Sequence, residues 1–522
     1  MVPLVLREAL VALRQLGARR LATTGAETIV GERLMSTVDF HCRLSEPIGP
    51  LEHFWEHTVG SCHAPLALRA DWQTQLRQCH DELGFRHVRF HGLLCEDVGT
   101  VIEHNHARLY SFFNTDRIWD FLLAIGMKPF VELSFMPEAL ASGRTTVFHY
   151  HGNVTPPRDY KKWATLIRKL VAHWVAHYGL NEVRQWFFEV WNEPNQPEFW
   201  TGSRKEYFKL FRYTFEAIKD VDCRLRVGGP ATSKNAWIPE FLDYCAKHRL
   251  KPDFVSTHHY PTDAVGNEDQ DTMTQLANSR RSILREQLQD TRRKARRLPV
   301  YYTEWNTSSN CRDPLHDEAY AAAFIIKTVL EAAGMVDGYS YWTFSDIFEE
   351  NYFPSVPFHG GFGLLNLHGI PKPAYRAFEL LRALGNCRLL VDGIHETVDA
   401  WVIQNNSVLT VLLTNHALPR HAITEQQVRI QLAEAPPPRS GYVQRIDAEH
   451  ANPKHLWQEL GEPEYLGAMA VERLQRASQL VKEPQPWKYE AQTIQLDITI
   501  PPHGVAAITL ELQGPAARLL PS

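Results

Sequence analysis

Two stretches of the chain close on a glutamate set among tryptophan and asparagine. They are Phe188-Glu189-Val190-Trp191-Asn192-Glu193-Pro194-Asn195 and Tyr301-Tyr302-Thr303-Glu304-Trp305-Asn306. Glycoside hydrolysis needs two carboxylates flanking the bond to be cut: one protonates the departing oxygen, the other attacks the sugar carbon or activates a water. Asn192, just before Glu193, is suited to hydrogen-bond a sugar 2-hydroxyl, a contact that strengthens in the transition state. A lone glutamate is usually a solvated surface group. A Trp-Asn-Glu-Pro turn at a strand end, matched by a second strand-end glutamate, is far less easily explained that way.

The elements that position these residues repeat one pattern. A short β-branched or aromatic run is followed by a polar loop and then an amphipathic stretch. Strands are expected at 55–60, 85–90, 128–133, 185–191, 224–229, 254–259, 300–304 and 338–344. Between them, 160–178 is the clearest helix. Trp163, Leu166, Ile167, Leu170, Val171, Trp174, Val175 and Tyr178 recur at i, i+3, i+4, i+7, and Gly179 supplies the stop. A second helix is expected over 319–333. Eight strand–helix units imply a parallel sheet closed into a (β/α)8 barrel. An open doubly wound sheet would want a glycine-rich phosphate turn after an early strand, and none is seen. Barrel catalytic groups sit at the C-terminal ends of strands. Glu193 and Glu304 then fall on strands four and seven, across the mouth from each other.

The pattern changes near Leu384. Short alternating runs at 388–391, 400–404, 407–414, 493–500 and 506–512 read as an antiparallel β-sandwich, and 450–490 as a long polar insertion within it. The expected organisation is an N-terminal extension over 1–34, a catalytic barrel over 35–383 whose first residues can add a strand to the β domain, and the accessory β domain over 384–522. The extension carries Arg7, Glu8, Arg14, Arg19 and Arg20, which interrupt the uncharged core of ~7–15 residues that an export signal needs. Met35 is as good a candidate initiator as Met1.

The chain resembles glycoside hydrolase family 39, especially its bacterial β-xylosidases. The matching stretches are His91-Gly92-Leu93-Leu94-Cys95-Glu96-Asp97-Val98-Gly99, residues 188–200, Arg226-Val227-Gly228-Gly229-Pro230-Ala231, residues 303–308, residues 340–350, and His359-Gly360-Gly361-Phe362-Gly363-Leu364. The resemblance implies a retaining double displacement, with Glu193 as acid/base and Glu304 as nucleophile. Retention predicts carboxyl groups ~5–5.5 Å apart, and an acid must hold its proton near working pH. By the same resemblance His91, in the loop after strand two, faces a sugar hydroxyl. His258 and Tyr260 follow strand six, the tyrosine orienting the nucleophile; His259 between them departs from the small residue the family often has there. Trp342 forms a wall at the end of strand eight, Glu349 and Glu350 accept from sugar hydroxyls, and Phe148 and Phe199 line the pocket. The implied activity is exo-acting, taking xylose from non-reducing ends of xylo-oligosaccharides. The family also contains α-L-iduronide-cleaving enzymes, but the strand-end motifs show no Lys or Arg to meet a C5 carboxylate. β-Glucoside or α-L-arabinopyranoside activity differs by one substituent or one inverted hydroxyl. A carbohydrate-binding protein without catalysis is the rival from another class, disfavoured by the presence of both glutamates.

Composition fits this reading. The 522 residues are 44% hydrophobic and 22% charged with net charge −5, the balance of a globular chain without a polyanion partner. No apolar run approaches ~18 residues, so no membrane span is expected. Eight scattered cysteines without a CxxC pair argue against a disulfide framework and suit a reducing cytoplasm. Arg292, Arg293, Lys294, Arg296 and Arg297 read as a solvated helix end, not a nucleic-acid patch. Gly360-Gly361-Phe362-Gly363 lacks the strand–turn–helix context of a phosphate loop. His53 and His57 have i, i+4 spacing without a third ligand, so no metal is expected, and the two carboxylates need no cofactor. The expected partner is an oligosaccharide or aryl glycoside, with no nucleic acid and no membrane; a homo-oligomer is compatible with the sequence but not fixed by it.

Overall fold

A computed structural model describes residues 37–104, 107–264, 270–350 and 353–514. The extension over 1–34 and Met35 lie outside the described residues.

Eight parallel strands close into a barrel in chain order: Thr58–His63, His87–His91, Lys128–Glu132, Phe187–Glu189, Arg226–Thr232, Phe254–His258, Val300–Trp305 and Gly338–Tyr341. The expected (β/α)8 architecture is therefore present. The first strand starts later than its aromatic content suggested, because Phe54–Glu56 form a single 3-10 turn that buries Trp55 beneath the barrel. Strand four is shorter than expected. Trp191 leaves the β region at φ +74, and the Glu193 N–H donates to Ala231 O (2.8 Å).

Both helices that the sequence periodicity placed are present. Tyr160–Tyr178 begins at Asp159, whose carboxylate accepts from the Lys161 and Lys162 N–H groups, and stops at Gly179 at φ +86. Arg204–Val221 opens with a capping box in which Ser203 and Glu206 satisfy each other's backbone N–H. Ala319–Ala332 is buried on nearly every side, as its apolar composition requires. Of the basic run that closes helix Ile283–Lys294, Arg292 pairs with Asp337, Arg293 and Lys294 with Asp290, and Arg296 just beyond the helix with Asp243.

The remaining chain builds a ten-stranded, mostly antiparallel sheet. Near its middle lies Val38–Pro50, antiparallel to Cys387–Asp392 and parallel to Gln426–Ala433. Its first eight residues alternate buried and exposed, sending Val38, Phe40, Cys42 and Leu44 into the sheet's core. The runs Gln426–Ala433 and Pro438–Ile446 are also strands that the sequence reading did not single out. Interspersed Arg, Gln and Ser weaken their apolar signal, and pairing with neighbours supplies the rest. The segment read as a polar insertion contains helices Pro453–Glu459 and Ala468–Ala477. They dock Trp457 and Leu474 against Phe358 and Ile370 of the barrel loops. Among the described residues no helix is long and apolar enough to cross a membrane.

Candidate active site

Alternate residues of a barrel strand face the interior, so each strand contributes to successive layers. At the N-terminal end Phe130, Phe187, Phe254 and Tyr301 form an aromatic floor, the first two stacked at 5.1 Å. Two residues further along these strands come Glu132, Glu189 and Thr303, and on strand two His87 is followed by Arg89. An apolar layer thus gives way to an ionic one, which centres on Arg89.

Arg89 is 0% exposed. Its Nε donates to Glu189 Oε2 (2.6 Å), Nη1 to Glu304 Oε1 (2.8 Å) and Nη2 to Asn192 Oδ1 (2.9 Å), and Nη2 lies 2.8 Å from Glu132 Oε2. Burial opposes the charge on Arg89, and Glu132, Glu189 and Glu304 more than restore it. Burial likewise works against ionised Glu132, but Arg89 and His91 hold its carboxyl below the usual range. A buried charge is tolerable only when paired in this way.

Glu304 lies inside strand seven, at a break in register. Thr257 pairs with Tyr302, but the next residue, His258, pairs with Glu304. Thr303 is the extra residue of a β-bulge. In a regular strand Thr303 and Glu304 would face opposite sides; here both reach the interior. Thr303 Oγ1 donates to Glu189 Oε1 (2.8 Å), and Glu304 Oε2 accepts from Tyr260 Oη (3.1 Å).

Glu193 stands four residues beyond strand four at φ +42, a left-handed backbone uncommon for glutamate. Its Oε1 is 2.9 Å from His258 Nδ1, which is itself 3.6 Å from Glu304 Oε2. One oxygen of each carboxylate and the His258 nitrogen all lie within 4.8 Å of one another. An approach this close falls short of the ~6.5–9.5 Å at which carboxylate pairs admit a water between them and lies on the side of pairs that work by double displacement (~5–5.5 Å). Burial pushes Glu193 up to about 7 against the pull of His91 and Arg89. Burial also raises Glu350, to about 8, and lowers His258 to about 4.

The two carboxylates open into a cavity of about 430 Å³. Its wall contains His91, Asn192, Phe199, Tyr260, Trp342 and Glu350 as well as Glu193 and Glu304, so eight of the expected site residues converge. His91 is the last residue of strand two, not part of the following loop. Its Nδ1 pairs with Glu132 Oε2 (2.7 Å), and its Nε2 lies 3.6 Å from Glu304 and 3.8 Å from Glu350. Trp342 follows strand eight directly and leans over Gly60.

Three expected residues do not reach the wall. His258 is fully buried behind the carboxylates. Phe148 packs against His91 and Phe199 from outside. Glu349 turns away because the Arg69 guanidinium captures its carboxylate (3.0 Å).

Other residues went unpredicted. Lys234 and Asp263 line the cavity: the sequence reading finds no cation in the strand-end motifs to meet a C5 carboxylate, and the 3-10 turn Ser233–Asn235 delivers Lys234 from just past the strand-five motif. Burial, then the nearby Glu193, raises Asp263 to about 7, and its Oδ2 accepts from the Tyr260 N–H (2.7 Å). Arg89 had a readable signal. It shares interior parity with His87 and His91 on a fully buried strand, where a permanent cation demands buried acids.

A sequence model described as "Glycosyl hydrolases family 39" matches residues 41–493. The chain is 49% identical over 470 residues to a "Beta-xylosidase" of Caldicellulosiruptor saccharolyticus, covering 89% of this chain and 96% of the relative. It is 38% identical over 472 residues to a "Beta-xylosidase" of Geobacillus stearothermophilus, covering 88% and 92%. The crystal structure of a monomeric β-xylosidase from Caulobacter crescentus CB15 superposes with a TM-score of 0.82 at 33% identity, covering 92% of this chain and 100% of that one.

Proposed function

The chain belongs to glycosyl hydrolases family 39, and from that premise we propose that it is a retaining, exo-acting β-xylosidase that releases xylose from the non-reducing ends of xylo-oligosaccharides. The observation that carries the reading is the pair Glu193 and Glu304, lining one cavity with carboxylate oxygens within 4.8 Å of each other, too close to admit a water between them.

Glu304 is the nucleophile. Arg89 and Tyr260 hold its two oxygens, which fixes the carboxylate plane before the sugar arrives. As Glu304 attacks the anomeric carbon, Glu193 gives its proton to the departing oxygen. In the second half, Glu193 takes a proton from the water that displaces Glu304. Burial keeps Glu193 protonated up to about pH 7, which suits the first role. Arg89 holds Oδ1 of Asn192, turning the Asn192 amide N–H groups toward the cavity as donors for the 2-hydroxyl. His91, Glu350, Trp342 and Phe199 contact the glycone; His258, Phe148 and Glu349 act from outside the wall.

The test is hydrolysis of aryl β-D-xylopyranoside, β-D-glucopyranoside, α-L-arabinopyranoside and α-L-iduronide, with the product anomer read by NMR. Preference for the xyloside with β-xylose as first product supports the proposal. An inverted product overturns the mechanism, and preference for another glycone overturns the substrate. The iduronide belongs in the panel because Lys234 gives the cavity a cation that could meet its carboxylate. A protein that bound these glycosides but hydrolysed none would be the non-catalytic alternative. We place the enzyme in a reducing cytoplasm on its eight free cysteines; fractionation of the native cell tests this. Self-association is tested by light scattering.

A further inference from the structure

The end of strand one carries a second constellation that the glycosidase reaction does not use. His63 ends Thr58–His63 and pairs in register with His91. Its Nε2, the Cys95 sulfur and an Asp97 carboxylate oxygen lie within 4.8 Å of one another, with Nε2 to Asp97 Oδ2 at 3.3 Å. His63 is 3% exposed, and its Nε2 makes no hydrogen bond among the described residues. A buried imidazole nitrogen aimed at a thiol and a carboxylate without a hydrogen bond calls for an explanation.

The surroundings hold this geometry open. The Tyr150 ring stacks on His63 at 3.6 Å and 8°, fixing the imidazole plane. Gly92, at φ +72, borders the gap. A Cβ there would lie 3.1 Å from His63 Nε2 and 3.2 Å from Cys95 Sγ, closing the space between nitrogen and sulfur. Cys95 Sγ also accepts from the Phe135 N–H, an outer contact of the kind that orients a metal-bound sulfur. The Asp97 side chain is 41% exposed, which gives a path from solvent.

We infer that His63 Nε2, Cys95 Sγ and the Asp97 carboxylate form a site for one divalent cation of the zinc class, with a fourth position left for water. One nitrogen, one sulfur and one oxygen are a zinc donor set, at ~2.0–2.3 Å from the metal. Ligands at those distances sit roughly 3.3–3.8 Å apart, and the exposed Asp97 can swing to close the remainder. As the S–metal bond forms, the Cys95 S–H bond breaks and its proton leaves to solvent. A thiolate and a carboxylate then neutralise the dication, so the buried complex carries no net charge.

The test uses the full chain, stripped with a chelator and titrated with Zn²⁺ or Cd²⁺. Bound metal is counted after equilibrium dialysis, and the thiolate-to-cadmium ultraviolet band is recorded. One equivalent should bind, and zinc should raise Tm. Cys95→Ser should lose the cadmium band. Asp97→Asn, a surface change that leaves the fold and basal turnover intact, should weaken binding about tenfold or more. The proposal is overturned if the unaltered chain binds no stoichiometric zinc, if the band survives in Cys95→Ser, or if Asp97→Asn binds as tightly as the unaltered chain.

Discussion

His258 Nδ1 stands 2.9 Å from Glu193 Oε1, and the rest of its hydrogen-bond chain fixes which atom carries the proton. Thr303 donates its hydroxyl to Glu189 Oε1 (2.8 Å), so its oxygen must accept from His258 Nε2–H (3.0 Å). Neutral His258, which burial favours by lowering it to about 4, then has a bare Nδ1. That nitrogen accepts from Glu193 while Glu193 holds its proton. The Glu193 carboxyl group beyond strand four is thus oriented through strands six and seven by Glu189, a carboxylate of strand four itself.

The pH profile follows. Glu193 is raised to about 7, so its acid form is present below that pH and is lost above it. kcat/KM for a xyloside with a poor leaving group should fall above about pH 7 with a one-proton slope. In Glu193→Gln, assayed with a dinitrophenyl xyloside, that alkaline limb should vanish; its persistence would remove Glu193 from the acid role.

Removing His258 should move the same limb. His258→Ala takes away the acceptor that favours protonated Glu193, so the limb should shift to lower pH. A hydrogen bond of about 0.5–1.5 kcal/mol corresponds to roughly 0.5–1 pH unit. A change in KM alone, with the limb unmoved, would reduce His258 to a packing role.

The two carboxylates should separate kinetically. Glu304→Gln should lose nearly all turnover with every substrate. Glu193→Ala should lose about 10²–10⁴-fold with poor leaving groups, yet with a good one it should form the glycosyl-enzyme and stall. Mass spectrometry would detect the adduct on Glu304 in Glu193→Ala, and its absence there would contradict the double displacement.

Arg89→Met should destabilise the fold by about 3–5 kcal/mol in chemical denaturation, because it strands buried carboxylates without a counter-charge. The pH response should change sign. In the parent, Glu132 is held below its usual value, so its contribution is present above the unfolded carboxylate pKa and lost as pH falls. In the variant the stranded carboxyls favour their protonated forms, so acidification should recover stability. Equal acid sensitivity of the two proteins would contradict this account.

Gly60→Ala probes the cavity wall. A Cβ there would lie 2.4 Å from Trp342 Cε3, so the indole must shift toward the site or the strand must move. Overpacking of this kind costs about 1–3 kcal/mol. KM should rise with the fold retained. A variant with unchanged KM and a lowered Tm would place the strain in the strand instead.

Much of this was readable before any fold was built. Strand and helix periodicity gave the barrel, because the alternation of elements is a local property of the chain. The Trp-Asn-Glu-Pro turn and its partner gave the carboxylates. Legibility failed where a residue's meaning depends on a distant partner. Glu349 looks like a sugar ligand until Arg69 is seen to hold it, and the runs Gln426–Ala433 and Pro438–Ile446 become strands only through pairing with Thr493–Ile500 and Val505–Leu512, more than fifty residues further along the chain.

What the sequence by itself determined is the element order, the barrel and the placing of two glutamates, Glu193 and Glu304, at its mouth, since side-chain periodicity and strand-end motifs are written locally. What only the tertiary structure decided is how that pair is armed. The bulge at Thr303 turns two consecutive residues inward, Arg89 gathers Glu132, Glu189 and Glu304 around one cation, and the turn at Ser233–Asn235 brings Lys234 to the cavity. The physical reason is that register shifts, buried charge pairing and loop placement are set by contacts between segments far apart in the chain. A single segment's composition carries no record of them.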